Sequence, residues 1–274
     1  MAGAQGPRST VIVIAVVVAL LAAVVAVWGV VFVDFARPSS SAETASAASS
    51  AAASKGSKDS TSTSTSDDTE PAEGEWTMDQ AREAFAADDS RTLVLGDSTG
   101  NDRDEWIHMW GELEGLPVAS WQMEFENGYT GESSETRIWS GSMDQATADY
   151  PLQHWDEMWP DPAPDVVLLS YGQFHDSGED AVAALEELRA ALAERAPEVP
   201  VVVVLQNPQA DDANAATREA IAAWAQESGL PTIDVAAAFE ESGLYPADLR
   251  LDQLHPSLAG SRLWAETVAA ALAG

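Results

Sequence analysis

The sequence predicts an α/β fold: a three-layer α/β/α sandwich with a central parallel sheet of about five strands, flavodoxin-like in arrangement. Two observations carry that expectation. Apolar runs such as Asp165–Ser170 (DVVLLS, between Pro164 and Gly172) and Val199–Leu205 (VPVVVVL) lack polar alternation, as strands buried on both faces do. Between such runs lie segments of helical length and spacing, above all Glu179–Arg195, rich in Ala, Leu and Glu. Alternating strands and helices, joined by right-handed crossovers, give a parallel sheet covered on both sides.

The elements follow in order. Trp76–Asp89 reads as a short helix. Thr92–Leu95 is an apolar run that stops at Gly96, and Asn101–Leu113 is amphipathic. Pro117–Met123 and Arg137–Trp139 read as strands, and Asp144–Met158 has helical spacing. After the Asp165–Ser170 strand, the Glu179–Arg195 helix and the Val199–Leu205 strand come a helix over Asp212–Ser228, a shorter strand over Pro231–Val235 and a closing helix over Ser257–Leu272.

The folded part is expected to span residues 76–274, because residues 1–75 differ in composition. Val11–Val33 is almost wholly apolar and free of charge, and about 20 such residues cross a bilayer as a helix. It reads as a transmembrane signal-anchor whose partner is the lipid bilayer. Residues 1–10 would be a short cytoplasmic terminus and the domain extracytoplasmic. The charge bias is slight, with Arg8 and the amino terminus on one side and Arg37 on the other. A cleaved signal peptide, giving a secreted protein, is the alternative; its apolar region usually runs about 7–15 residues. Residues 34–75 are rich in Ser, Thr and Ala and cannot build a core, so they read as a flexible linker.

Composition narrows the functions. The chain has 274 residues, no cysteine and a net charge of −32. Disulfides, thiolate catalysis and Cys-ligated metal are excluded. A polyanion of this charge repels nucleic acid. No His-Glu-x-x-His spacing marks a metal site, and no cofactor is expected.

In a doubly wound sheet, ligands bind beyond the carboxyl ends of the strands. After the first core strand the chain reads LVLGDSTGND, from Leu93 to Asp102. Ser98 sits where strand turns into helix, flanked by Gly96 and Gly100, which permit a sharp turn, with N–H groups of the incipient helix nearby that can receive an oxyanion. Before the last helix it reads LDQLHPS, from Leu251 to Ser257. Asp252 lies three residues before His255, a spacing that lets the carboxylate hold one ring nitrogen while the other faces a serine hydroxyl. Each segment has a plainer reading: a helix-capping Asp97 or Ser98, and a polar helix-entry loop. The rule that ligands sit at one sheet edge predicts that the two segments meet there.

Together these segments resemble the SGNH (GDSL-type) hydrolase family over about Thr92 to Ala273. Gly96-Asp97-Ser98 matches its first block and Asp252 to His255 its last. The resemblance implies an ester hydrolase in which Ser98 attacks, His255 is the base and Asp252 supports it. It also implies an oxyanion hole made by the Ser98 N–H, a glycine and an asparagine. Gly141, in Trp139-Ser140-Gly141-Ser142, is the candidate glycine. The asparagine is missing: Tyr171-Gly172-Gln173-Phe174-His175 places Phe174 there. Gln173 and His175 are the nearest replacement donors, and Gly172, His175 and Asn207 are expected to line the substrate site, although a turn role also fits Asn207.

The resemblance implies an acyl-ester substrate, acetyl first among them: acetylated carbohydrates, lipids, or small aryl or thioesters. Six of the ten tryptophans fall between Trp106 and Trp159, where they serve either as a sugar platform or as core. Two rival readings fit the same residues: an acyltransferase using the same acyl-enzyme, and a glycan-binding surface module with a relict site.

Overall fold

The computed structural model describes residues 76–122 and 128–273. The expected membrane segment (11–33), the linker (34–75) and Met123 lie outside the described residues. Among the described residues no helix is long and apolar enough to cross a membrane.

The chain alternates as expected. Helix α1 (Met78–Phe85) precedes β1 (Thr92–Gly96) and α2 (Trp106–Glu114). Then come β2 (Val118–Trp121), β3 (Tyr129–Thr130), β4 (Ile138–Ser142), α3 (Tyr150–Gln153), α4 (Trp155–Met158) and β5 (Val166–Ser170). Next are α5 (Gly178–Arg195), β6 (Val201–Leu205), a 3₁₀ turn (Ala210–Asp212) and α6 (Ala215–Glu227). Strand β7 (Thr232–Asp234), α7 (Val235–Glu241) and α8 (Leu258–Ala273) complete it.

The sheet has seven strands in the order β3-β2-β4-β1-β5-β6-β7, where about five were expected. All pairs are parallel except β2 with β3. The five strands β4-β1-β5-β6-β7 keep the flavodoxin-like order, and β2 and β3 extend the sheet beyond β4. The chain builds outward from β1 in one direction and then in the other, so the switch point lies between β1 and β5.

Strand residues alternate between two apolar clusters, one on each face. Leu93, Leu95, Val167, Leu169, Val201 and Val203 pack with Leu185, Leu188 and Leu192 of α5 and with Ile221 and Trp224 of α6. Val94, Leu168, Val202 and Val204 pack on the other side with Trp106 and Trp110 of α2 and with Trp264, Val268 and Leu272 of α8. Trp106 stacks on Trp264, ring centroids 5.3 Å apart. This pins α2, which follows the Ser98 turn, to α8, which follows His255.

Three expectations change. The region Asp144–Met158 forms two four-residue helices, with Pro151 in the first turn of α3. The helix expected from Asn101 begins at Trp106, because residues 101–105 remain in the turn beyond the serine. The last strand ends at Asp234, whose carboxylate accepts the Ala237 N–H at 2.8 Å and caps α7, so Val235 is helical.

Candidate active site

The site forms where two turns meet at the carboxyl edge of the sheet. The first follows β1. Asp97 Oδ1 accepts the Thr99 N–H at 3.1 Å and the Thr99 hydroxyl at 2.8 Å, a side-chain-closed turn with Ser98 at its apex. Asp97, Ser98 and Thr99 are all buried. Burial pushes the Asp97 carboxyl up from its ordinary range, while hydrogen bonds from Gln206 and Thr99 pull it back only in part. Gly96 is required by space: a Cβ there would lie 2.8 Å from Ser142 Oγ and 3.1 Å from the Ser170 carbonyl.

The second turn precedes α8. Asp252 Oδ1 accepts the backbone N–H of Leu254 at 2.8 Å and of His255 at 2.7 Å, and Oδ2 meets His255 Nδ1 at 2.9 Å. Burial raises the Asp252 carboxyl, but these hydrogen bonds outweigh it and hold the group down at about 2. It is therefore ionised at neutral pH and accepts the Nδ1–H of the ring. The other ring nitrogen, Nε2, lies 2.8 Å from Ser98 Oγ, placed to accept the hydroxyl proton. The expected meeting of Ser98, His255 and Asp252 is thus present.

A cavity of about 590 Å³ opens beside the pair, lined by Ser98, Asn101, Asp102, Asp104, Glu105, Asp144, Leu251, His255, Pro256 and Leu258. Its lining combines the carboxyl groups of Asp102, Asp104, Glu105 and Asp144 with the apolar Leu251 and Leu258, 75% and 62% exposed. Glu105 accepts the Asp102 N–H at 2.8 Å. Its burial, together with the neighbouring Asp102 and Asp104 charges, pushes it up to about 8.

The remaining expected site residues lie elsewhere. Gly141 sits inside β4, paired with Leu95; a Cβ there would lie 2.9 Å from Leu95 Cδ2 and 3.0 Å from Met158 Cε. It is a packing glycine, and the loop leaving β4 brings Asp144 to the cavity instead. Gln173 is buried and its donors are taken. Its N–H goes to Gln206 Oε1, and its amide NH₂ to the carbonyl and Oδ1 of Asn207, each at 3.1 Å. It therefore does not serve as an oxyanion donor. His175 is also committed. Nδ1 meets Asp180 at 2.9 Å, Nε2 accepts the Ala148 N–H at 3.1 Å, and the side chain is 1% exposed. Both contacts staple loops together.

Gly172 has φ +141°, which glycine adopts readily, and it turns the chain so that Gln173 N–H faces Gln206. Asn207 is fully buried and donates to the Leu254 carbonyl at 3.1 Å, so it touches the His255 loop rather than the cavity. The Ser98 N–H has no protein acceptor among the described residues, which leaves it free for an oxyanion. Of the six tryptophans between 106 and 159, Trp106, Trp110, Trp121 and Trp139 are buried. None of the six lines the cavity; they serve the core.

Sequence reasoning missed Gln206 and the acidic cavity lining. Gln206 directly follows β6, the position that the edge rule already singles out. The run Asn101-Asp102-Arg103-Asp104-Glu105 reads as helix in sequence, which hides its place beside Ser98.

An open, mostly parallel α/β sheet carrying a hydrogen-bonded serine and histidine at its carboxyl edge defines a class, the serine hydrolases of α/β architecture. The chain belongs to the GDSL-like lipase/acylhydrolase family, whose sequence pattern matches residues 89–263, more than half of the chain, and is accordingly an ester-hydrolysing serine hydrolase. Among solved structures it is similar to an alpha/beta hydrolase enzyme from the metagenome of Lake Arreo, Spain (TM-score 0.53, 20% identity, covering 69% of this chain and 97% of that one). It is also similar to a putative lipolytic protein of the G-D-S-L family from Desulfitobacterium hafniense (0.50, 16%, 66% and 99%). A third is a catalytic mutant of an acetylxylan esterase from Geobacillus stearothermophilus (0.50, 18%, 68% and 94%). At these identities the likeness is one of fold. No curated protein matches the chain.

Proposed function

We propose that the chain is a membrane-anchored, extracytoplasmic esterase that hydrolyses small acyl esters, acetyl first among them, through an acyl-enzyme on Ser98. The observation that carries this reading is the unbroken relay from Ser98 Oγ to His255 Nε2 at 2.8 Å and from His255 Nδ1 to Asp252 at 2.9 Å. Ser98 Oγ bonds to the acyl carbon as its proton passes to His255. The Ser98 N–H receives the oxyanion. Collapse expels the alcohol, which takes the proton from His255, and water repeats the sequence to release the acid. Asp252, ionised at neutral pH, stabilises the imidazolium.

The cavity supports a neutral or cationic ester. Among the described residues, Asp102, Asp104 and Asp144 line it beside Glu105, whose raised carboxyl keeps it neutral at pH 7, and no Lys or Arg does. Leu251, Pro256 and Leu258 offer apolar surface for an acyl chain or sugar face. Acetylated carbohydrate is the first substrate class to test, since an acetylxylan esterase shares this fold. The anchor rests on the charge-free run over residues 11–33. Hydrolysis of p-nitrophenyl acetate by the wild type and its loss in Ser98→Ala test the chemistry. Equal activity in both would remove Ser98 from it.

A further inference from the structure

The buried amides at the ends of β5 and β6 form one connected chain of hydrogen bonds between the two catalytic turns. It begins at Asp97, whose Oδ2 accepts Gln206 Nε2 at 2.9 Å. Gln206 Nε2 also donates to the Ser170 carbonyl at 2.9 Å, and Gln206 Oε1 accepts the Gln173 N–H at 3.1 Å. That N–H fixes the orientation of the Gln206 amide, because only its oxygen can face a donor. Gln173 Nε2 then donates to Asn207 Oδ1 at 3.1 Å, and Asn207 Nδ2 donates to the Leu254 carbonyl at 3.1 Å. Gln206 and Asn207 are 1% and 0% exposed.

The two ends of this chain lie one residue from the reacting atoms. At one end, Asp97 closes the turn that has Ser98 at its apex. At the other, the Leu254 carbonyl and the His255 N–H belong to one peptide unit. Asn207 holds that unit by its oxygen, and Asp252 holds it by its nitrogen at 2.7 Å. Rotation of this unit would turn the imidazole away from Ser98. Buried, fully paired amide networks rigidify and specify one arrangement.

We propose that Gln206, Gln173 and Asn207 are positioning residues that set the Ser98–His255 distance by coupling the Asp97 turn to the Leu254–His255 peptide. This rests on the proposed role of Ser98 and His255 and deepens it. It also gives Gln173, which follows β5 where the family oxyanion residue lies one position further on, a different use: the loop holds the catalytic base in place of supplying a donor.

The test uses the full chain, with Asn207→Ala and Gln206→Glu as main variants and Asn207→Ser and Gln206→Met as milder ones should the first fail to fold. Active sites are titrated with a fluorophosphonate, and kcat and KM for p-nitrophenyl acetate are expressed per titrated site. Thermal stability is followed in parallel. A misplaced reacting pair is expected to lower kcat per site about 10- to 100-fold, with KM within threefold and with slower fluorophosphonate labelling. A merely structural role would lower the melting temperature and the titratable fraction while kcat per site stayed within twofold of wild type. That result overturns the inference. Failure of the wild type itself to label would instead strike the proposed role of Ser98.

Discussion

Asp252 binds His255 twice, through the ring Nδ1 at 2.9 Å and through the backbone N–H at 2.7 Å. The same carboxylate therefore sets both the tautomer of the ring and the path of the chain that carries it. Ser98 lies 157 residues from His255 in sequence, yet the parallel sheet ends both segments at one edge, and the Trp106–Trp264 stack holds the helices behind them together. The short bonds at the site follow from this long-range arrangement.

Asp252→Asn keeps the shape but replaces an oxygen with an amide at a position that needs acceptors on both sides. Either the ring Nδ1–H or the backbone N–H loses its partner. The expected result is a fall in kcat of about 10²- to 10⁴-fold with little change in KM. Steady-state kinetics on p-nitrophenyl acetate measure it, and a loss under threefold would contradict the role given to Asp252.

Asp252 also links fold to acidity. Its carboxyl is held at about 2 against an ordinary 3.8. A depressed folded-state value contributes stability that is present above pH about 4 and lost as pH falls towards 2. Asp252→Ala should therefore bring its melting temperature closer to that of the wild type at pH 2 than at pH 5. A constant difference across that range would show that the hydrogen bonds do not depress the group.

Glu105 has the opposite sign. Its carboxyl is raised from 4.5 to about 8, so between those values the folded state binds more protons than the unfolded one. Its contribution to stability then declines as pH rises from about 4.5 through 8. Glu105→Gln should flatten that decline. Melting curves at pH 5 and pH 8 check it, and an unchanged slope would mean that Glu105 is charged in the fold at neutral pH.

The acidic lining predicts charge selection. Between otherwise matched acetate esters, one bearing an anionic group should show a lower kcat/KM than a neutral or cationic one, and added salt should narrow the gap by screening. Rates at low and high ionic strength test this. A gap indifferent to salt would assign the preference to shape.

Gly260 in α8 fixes how closely the closing helix approaches the loop that carries His255. A Cβ there would lie 2.1 Å from the Leu249 carbonyl oxygen and 3.0 Å from Pro256 Cβ. Gly260→Ala should destabilise the fold by roughly 1–3 kcal/mol through overpacking. An unchanged denaturation midpoint would contradict it.

The sheet and the meeting of Ser98 with His255 are legible in the sequence because both rest on strong local signals. Apolar runs mark β1, β5 and β6, and the residues just beyond them fall at one edge by rule. Strand β3 is too short, at two residues, to leave a pattern, and α7 hides behind Asp234, which ends a strand and caps a helix at once. The positions of Gln173, His175 and Asn207 near the edge are also legible, but not their partners. An amide after a strand looks the same in sequence whether it faces substrate or another amide. Gly141 misleads for a similar reason, since a glycine that makes room for Leu95 reads like one that exposes an N–H.

The most direct measurement is covalent labelling by a fluorophosphonate of the wild-type protein beside Ser98→Ala and His255→Ala. Rapid labelling of the wild type, with the adduct located on Ser98 by mass spectrometry, slow labelling of His255→Ala and none of Ser98→Ala is the predicted result. Comparable labelling of all three, or an adduct on another residue, would contradict the assignment of Ser98 as the nucleophile.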